Sequence, residues 1–167
     1  MDRKHERAHG PVVIRSYQRD DAAGTLAVFI AAVTETAAAD YTVEQVQAWA
    51  QPQRRDVKTW HVAMQARNSF VATLGGELAG FSDVSPEGYI DMMFVSPRHL
   101  RRGVARHLLM HAETHARLVG AAQLSADVSI TARPFFERHG FTVEAEQHPA
   151  KAGMELTNYK MSKDQQC

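Results

Sequence analysis

YIDMMFVSPRHLRRGVARHLLMHAETHAR, residues 89–117, is the stretch that decides the fold we expect for this chain. Residues 89–95 are apolar enough for a strand, and Pro97 ends that strand because proline supplies no ladder N–H. From Val104 onward, apolar residues return every three to four positions, as on one face of a helix. The stretch therefore predicts a strand, a basic turn that contains Gly103, and a long helix.

The turn between strand and helix suits an anion. The first N–H groups of a helix have no partner inside it and carry partial positive charge. Gly103 and Ala105 leave room for a ligand to approach the backbone closely, and four arginines surround the turn: Arg98, Arg101, Arg102 and Arg106. These features favour a pyrophosphate site at the helix N-terminus. The alternative is an ordinary helix cap with solvated arginines, and spacing alone does not separate the two.

Two sequence signatures resemble those of one enzyme family. Residues 95–105, VSPRHLRRGVA, followed by Leu108 and Leu109, resemble the acetyl-CoA signature of the GCN5-related N-acetyltransferases (GNAT). Residues 132–141, ARPFFERHGF, are similar to the second signature of that family, A-x-x-F-Y-E-K-x-G-F. Together, in this order, they are far more specific than either alone, and the resemblance covers roughly residues 12–163. It implies the acyl-CoA N-acyltransferase fold.

The rest of the chain predicts elements that suit this fold. We expect strands at residues 12–17, 69–74, 77–84, 89–95, 123–127, 142–147 and 154–161, and helices at 22–36, 42–50, 55–66, 104–120 and 131–139. The strand at 123–127 follows a crossover helix and should lie parallel to the strand at 89–95. The prediction is an α/β fold with a mixed, mostly antiparallel central sheet, a splayed parallel pair and helices on both faces. It forms a single domain over residues 11–167, after a flexible leader at 1–10.

Composition narrows the class of protein. Lys+Arg and Asp+Glu are both 19, so the net charge is zero and predicts no general affinity for nucleic acid or anionic membrane. Cys167 is the only cysteine, which excludes an internal disulfide and suits a reducing cytosol. No run is expected to reach the roughly 18 apolar residues of a membrane span. We therefore expect a cytoplasmic protein.

The resemblance implies a set of cofactor contacts. In the family, the strand before the turn parts from its parallel neighbour, and its unpaired N–H and C=O groups bind the pantetheine arm and thioester of acetyl-CoA, while the turn binds the pyrophosphate. Carried over by position, the cofactor-binding residues are Met93, Phe94, Val95, Leu100, Arg101, Arg102, Gly103, Val104, Ala105, Arg106, Ser129 and Phe136.

Three of these positions depart from the family pattern. Leu100 replaces the usual Gln or Arg, Ser129 replaces Asn, and Phe136 replaces the Tyr that often protonates the departing thiolate. Phenylalanine cannot donate a proton, so the general acid is left open. A thiolate with a pKa near about 8.5 is nevertheless a fair leaving group, so the change need not abolish transfer.

The general base is also left open by the sequence. Asp91 would have a raised pKa if it were buried in its apolar strand, although alternation could turn it to a polar face. The other candidates are Asp83 near the end of its strand, Glu35 and His61. Tyr159 could line an acceptor pocket and donate a proton, or it could simply pack in the structure.

No metal site is expected. His107, His111 and His115 follow one another at four-residue steps, but Ala112 stands where a zinc metalloprotease motif needs Glu. Stacked histidines on a solvated helix face are the better interpretation.

The sequence thus predicts an enzyme that moves an acetyl group from acetyl-CoA to a primary amine of a small molecule or peptide. Residues 37–55 and 148–159 should enclose the acceptor, with one or two aromatic residues near the first helices. The alternative is a non-catalytic acyl-CoA sensor or partner-binding module. A purely structural domain is a further possibility, and family members often form homodimers.

Overall fold

The computed structural model describes residues 10–165; the predicted leader, apart from Gly10, and Cys167 lie outside this range. The strands are β1 Val12–Ser16, β2 Phe70–Leu74, β3 Glu77–Ser82, β4 Tyr89–Ile90, β5 Met93–Val95, β6 Gln123–Ser129, β7 Thr142–Gln147, β8 Ala150–Lys151, β9 Met154–Glu155 and β10 Asn158–Asp164. The α-helices are α1 Ala22–Ala31, α2 Val43–Ala50, α3 Val57–Ala66, α4 Val104–Leu118 and α5 Arg133–Arg138. Short 3-10 turns lie at Arg19–Asp21, Ala37–Ala39, Pro52–Arg54 and Pro97–His99, and a π-helical turn at Ala32–Thr36.

Eight of the strands form two four-stranded sheets, and β8 and β9 form a separate two-stranded sheet. The first sheet has the order β1-β2-β3-β5 and the second the order β4-β6-β10-β7. All pairings are antiparallel except β4 with β6, which is parallel. This confirms the mixed, mostly antiparallel fold with a parallel pair.

The prediction of a single strand at residues 89–95 is wrong in one respect. It is interrupted at Asp91 and Met92, so that β4 belongs to one sheet and β5 to the other. The interruption lets the chain leave its parallel partner β6 and join β3 instead.

Helices cover both faces of the first sheet, as the period-two alternation of β2 requires. Phe70, Ala72 and Leu74 share a core with the inner face of α4, whereas Val71 belongs to a second core with α1 and α3. The two helical layers therefore lie on opposite sides of the sheet. Helices α1 and α4, one from each layer, both contact β5.

The helix boundaries follow the capping signals. The Thr42 hydroxyl accepts the Gln45 N–H at 3.1 Å, and the Gln45 side chain accepts the Thr42 N–H at 2.9 Å. This is the predicted capping box of α2. The helix ends at Ala50, before Pro52. The helix expected at residues 22–36 is α1, continued by the π-helical turn.

The expectation that no segment resembles a membrane span needs correction. Residues 19–39 form a helical segment that is long and apolar enough, by length and composition alone, to cross a bilayer. In this structure Leu26, Phe29 and Val33 are buried against the sheet. The segment is therefore used here as a core helix.

The closing strands also differ from the expectation. The strand predicted at residues 154–161 is divided into β9 and β10, and β9 pairs with β8 in a small hairpin. Ala152 and Gly153, at φ of 47° and 79°, form its two-residue turn. A left-handed alanine is unusual, which is why the sequence did not reveal this turn.

Candidate active site

The site is an opening between β5 and β6. Ser96 N–H donates to Ala79 C=O at 2.8 Å, and Phe94 lies opposite Phe81 in the same antiparallel register. Because bonding alternates along such a ladder, Met93 and Val95 direct their peptide groups away from β3. Within residues 10–165, β5 has no partner on that side. The opening thus presents unpaired backbone, which a ligand or water has to satisfy.

Side chains hold the interruption that creates this opening. The Asp83 carboxylate accepts the N–H of Asp91 at 2.8 Å and that of Met92 at 3.1 Å. The Ser82 hydroxyl donates to Met92 C=O at 2.6 Å. Arg67 Nε lies 3.5 Å from an oxygen of both Asp83 and Asp91. The interruption is therefore tied to the end of β3 on one side and to Arg67, just after α3, on the other.

The turn before α4 is a concave row of donors. Among the hydrogen bonds of residues 10–165, none is donated by a backbone N–H of residues 100–106. Arg101 and Gly103 have φ of 61° and 79°, which curves the chain so that successive N–H groups face the same side. Together with the N-terminus of α4, this arrangement can bind a pyrophosphate.

A first cavity of about 530 Å³ joins the opening and the turn. Eleven of the predicted cofactor-binding residues line it: Met93, Phe94, Val95, Leu100, Arg101, Gly103, Val104, Ala105, Arg106, Ser129 and Phe136. Arg102 does not. Thr36 and Thr131 also line this cavity, and the hydroxyls of both are buried without a hydrogen-bond partner in the described part of the chain. Both hydroxyls are therefore available to a ligand in this cavity.

A second cavity of about 350 Å³ adjoins the first. Trp49, Phe94 and Ser129 line both, so the two cavities meet where β5 and β6 part. Both segments expected to enclose the acceptor, residues 37–55 and 148–159, contribute to its wall.

The structure separates the two aspartates predicted for catalysis. Asp91 lines the second cavity with 45% of its side chain exposed. Asp83 is 2% exposed and lines neither cavity. Burial raises the pKa of Asp83 to about 6, against the opposing effect of its two backbone N–H donors and Arg67. The sequence left open whether Asp91 is buried. In the structure Asp83 is the buried carboxylate and Asp91 is exposed.

The other catalytic candidates lie away from the cavities. Tyr159 lines neither, and the Arg133 guanidinium lies 4.4 Å from the centre of its ring. The His61 ring is hydrogen-bonded to the Tyr17 hydroxyl at 2.9 Å. Glu35 is exposed and is also absent from both walls.

Phe136 is buried between Phe135 and Phe141 in edge-to-face contacts. Its ring forms part of the apolar wall of the first cavity and cannot donate a proton. In residues 10–165 no group of three or more His, Cys, Asp or Glu side chains could hold a metal ion. Of the three stacked histidines, His107 contacts Gly103 C=O and His111 packs on Phe70.

Several residues of the second cavity were not singled out in the sequence. They are Tyr41, Arg55, Tyr89, Asp127, Lys151 and Asn158. They come from six separate elements or loops and form no motif. A signal existed only for Asp127, since alternation along β6 places it on the face opposite the buried Ala126 and Val128.

Comparison with known proteins agrees with this geometry. Residues 37–163 match the family model described as an acetyltransferase (GNAT) domain, which is well over half of the chain. The chain belongs to the GNAT acetyltransferase family.

Members of the GNAT family resemble this chain along most of its length. The uncharacterized N-acetyltransferase YafP of Escherichia coli (strain K12) is 39% identical over 150 residues, covering 90% of this chain and 94% of the relative. A crystal structure of a GCN5-related N-acetyltransferase from Rhodopseudomonas palustris, whose name also includes "Aminotransferase, Class-II", has a TM-score of 0.88 at 31% identity. It covers 97% of this chain and 100% of its own.

A more distant GNAT structure shares the fold. The PaiA N-acetyltransferase of Thermoplasma acidophilum, solved in complex with coenzyme A, has a TM-score of 0.72 at 18% identity. The alignment covers 93% of this chain and 99% of that one. The GNAT fold is thereby shown, and the protein is an enzyme of the acyltransferase class.

Proposed function

We propose that this GNAT protein transfers an acetyl group from acetyl-CoA to a primary amine of a small molecule by direct attack on the thioester. The observation that carries the proposal is the run of seven backbone N–H groups, residues 100–106, that donate to no group of the described chain. Six of these seven residues, all but Arg102, line a cavity that continues along the open edge of β5. Acetyl-CoA needs both parts, a pyrophosphate site and an extended backbone partner for its pantetheine arm.

Each end of the first cavity has its own role in this proposal. The turn holds the pyrophosphate, with Arg101 and Arg106 adding charge. Met93 and Val95 hold the pantetheine amides through their free peptide groups, as in an added strand. Acetyl-CoA supplies the thioester whose carbonyl carbon accepts the amine. A free N–H of β5 is placed to stabilise negative charge on that carbonyl oxygen.

The second cavity admits the acceptor. It meets the first at Phe94, where an amine can approach the thioester. We propose Asp91 as the base that takes the proton from the amine, directly or through a water. As the new C–N bond forms and the C–S bond breaks, the thiolate leaves and takes its proton from solvent, since Phe136 has none to give.

A volume of about 350 Å³ favours a small molecule over a folded protein as acceptor. A cytoplasmic location and a homodimer stay predictions from the sequence.

Acetyl transfer is tested by following thiol release from acetyl-CoA with a panel of primary amines. We expect amine-dependent release well above the rate of hydrolysis without amine. Tight acetyl-CoA binding with no turnover on any amine would overturn the proposal and favour the sensor function, for which the absence of a tyrosine at Phe136 is the supporting observation.

A further inference from the structure

The second cavity contains a fixed cation that forms no ion pair with residues 10–165. Arg55 donates from Nε to Ala50 C=O at 3.0 Å and from an Nη atom to Trp49 C=O at 3.0 Å. Its guanidinium also lies 4.8 Å from the centre of the Phe29 ring. Three contacts therefore fix the side chain against the wall of the cavity.

No carboxylate of residues 10–165 lies within 4.0 Å of Arg55. Burial lowers the pKa of this guanidinium, and no acidic neighbour counters the effect. Its second terminal nitrogen donates to no group in the same range. A half-buried guanidinium that is held in place but not neutralised is a site for an anionic group of a ligand.

Oxygen atoms that can accept hydrogen bonds from an amine line the same cavity. Asp91 and Asp127 both line the cavity, and Asp127 is held by the Tyr89 hydroxyl at 3.1 Å and the Gln147 amide at 3.0 Å. Asn158 Oδ1 is buried there without a donor in the described chain. These oxygens accept N–H groups and repel anions, so they complement Arg55.

The wall of the second cavity also has an apolar part. Its residues are Phe29, Trp49, Met92, Phe94 and Leu156. Lys151 also lines it, but its side chain is exposed and carries no fixed geometry.

We infer that the acceptor is a small amine that also carries a carboxylate and an apolar body, of amino-acid size, with its carboxylate on Arg55 and its amine toward Asp91 and Asn158. This inference rests on the proposed acetyl transfer and adds the class of acceptor. Arginine suits the carboxylate because its planar fork can donate two parallel hydrogen bonds.

The test uses pairs of amines that differ in the carboxylate: L-phenylalanine with its amide and 2-phenylethylamine, and L-methionine with its amide and 3-(methylthio)propylamine. We expect kcat/KM for the carboxylates to exceed that of both partners by roughly 10- to 100-fold, as for loss of a hydrogen bond to a charged group. Arg55→Met should abolish this preference, so that within each set the amines with and without a carboxylate have kcat/KM values within about threefold of one another. Arg54→Met, an exposed neighbour outside the cavity, should retain it.

The possible outcomes separate the two proposals. If the wild-type enzyme acetylates amines but shows no preference for a carboxylate in any pair, the inference is overturned and acetyl transfer stands. If acetyl-CoA binds and no amine reacts, both fail. The wild-type comparison decides the inference even if Arg55→Met does not fold, and acetyl-CoA binding by the variant shows whether it has folded.

Discussion

At the scale of single residues, two neighbouring carboxylates have opposite surroundings. Asp83 is buried and accepts two backbone N–H groups, while Asp91 is exposed in the second cavity. Arg67 contacts both. We assign Asp83 the structural role of holding the interruption between β4 and β5, and propose the catalytic role for Asp91.

The pKa of Asp83 predicts how stability depends on pH. Burial raises it from 3.8 to about 6, so the folded state binds this proton more tightly than the unfolded chain does. The stabilisation from Asp83 is therefore complete below pH 3.8 and is lost as the pH rises through about 6, by about 3 kcal/mol in all. Urea unfolding of wild type and Asp83→Asn should show the wild type losing stability relative to the variant from pH 4 to 7. The opposite slope would mean that Arg67 and the N–H donors outweigh burial.

Asp91→Asn tests the proposed base. The variant should lower kcat for acetyl transfer by roughly 100-fold, the lower end for general base catalysis, while acetyl-CoA affinity stays within about twofold. Steady-state kinetics and calorimetry measure the two effects. Glu87→Gln, which removes an exposed acid outside the cavity, is the matched control. Equal kcat in wild type and Asp91→Asn would remove Asp91 from the mechanism.

At the scale of elements, the parallel pairing of β4 with β6 begins at a glycine. Ser125 N–H donates to Gly88 C=O at 2.9 Å. A Cβ at Gly88 would lie 2.0 Å from Gln123 C=O, and its φ is +87°. The close approach of the two backbones therefore requires glycine here.

Gly88→Ala should destabilise the protein by about 3 kcal/mol or more, because strain at positive φ adds to a backbone clash. Gly76→Ala is the control: its φ is +82°, but a Cβ there would have nothing within 4 Å. That variant should cost only about 1 kcal/mol. Equal losses in urea unfolding would show that the β4–β6 register does not depend on the approach at Gly88.

Local signals explain which elements could be predicted from sequence. The capping box at Thr42, the Gly75-Gly76 hairpin and the Pro97 strand end each act within a few residues, and the structure has all three. The division of residues 89–95 was missed because its cause is distant: Asp83 and Arg67 reach the interruption from other elements. The periodicity of residues along the strand does not depend on such contacts and therefore cannot reveal them.

At the scale of the whole molecule, the two cavities differ in how far they could be predicted from the sequence. Half of the residues that line the first cavity lie in one contiguous segment, residues 93–106, and this segment carries the signature that resembles the GNAT acetyl-CoA motif. The second brings together Arg55, Asp127 and Asn158, which lie far apart in the chain and meet only in the fold. No pattern of spacing links them, so the acceptor site had to be found in the structure.

We propose that the free N–H groups of residues 100–106 and the open edge of β5 hold acetyl-CoA. The most direct measurement follows backbone amide signals by NMR during titration with coenzyme A and, separately, with pantetheine, which lacks the pyrophosphate. Saturating coenzyme A should shift the amides of residues 100–106 together with those of Met93 and Val95, whereas pantetheine should shift only the latter pair. If coenzyme A leaves the amides of residues 100–106 unperturbed, the turn does not bind the pyrophosphate and the proposed cofactor site is contradicted.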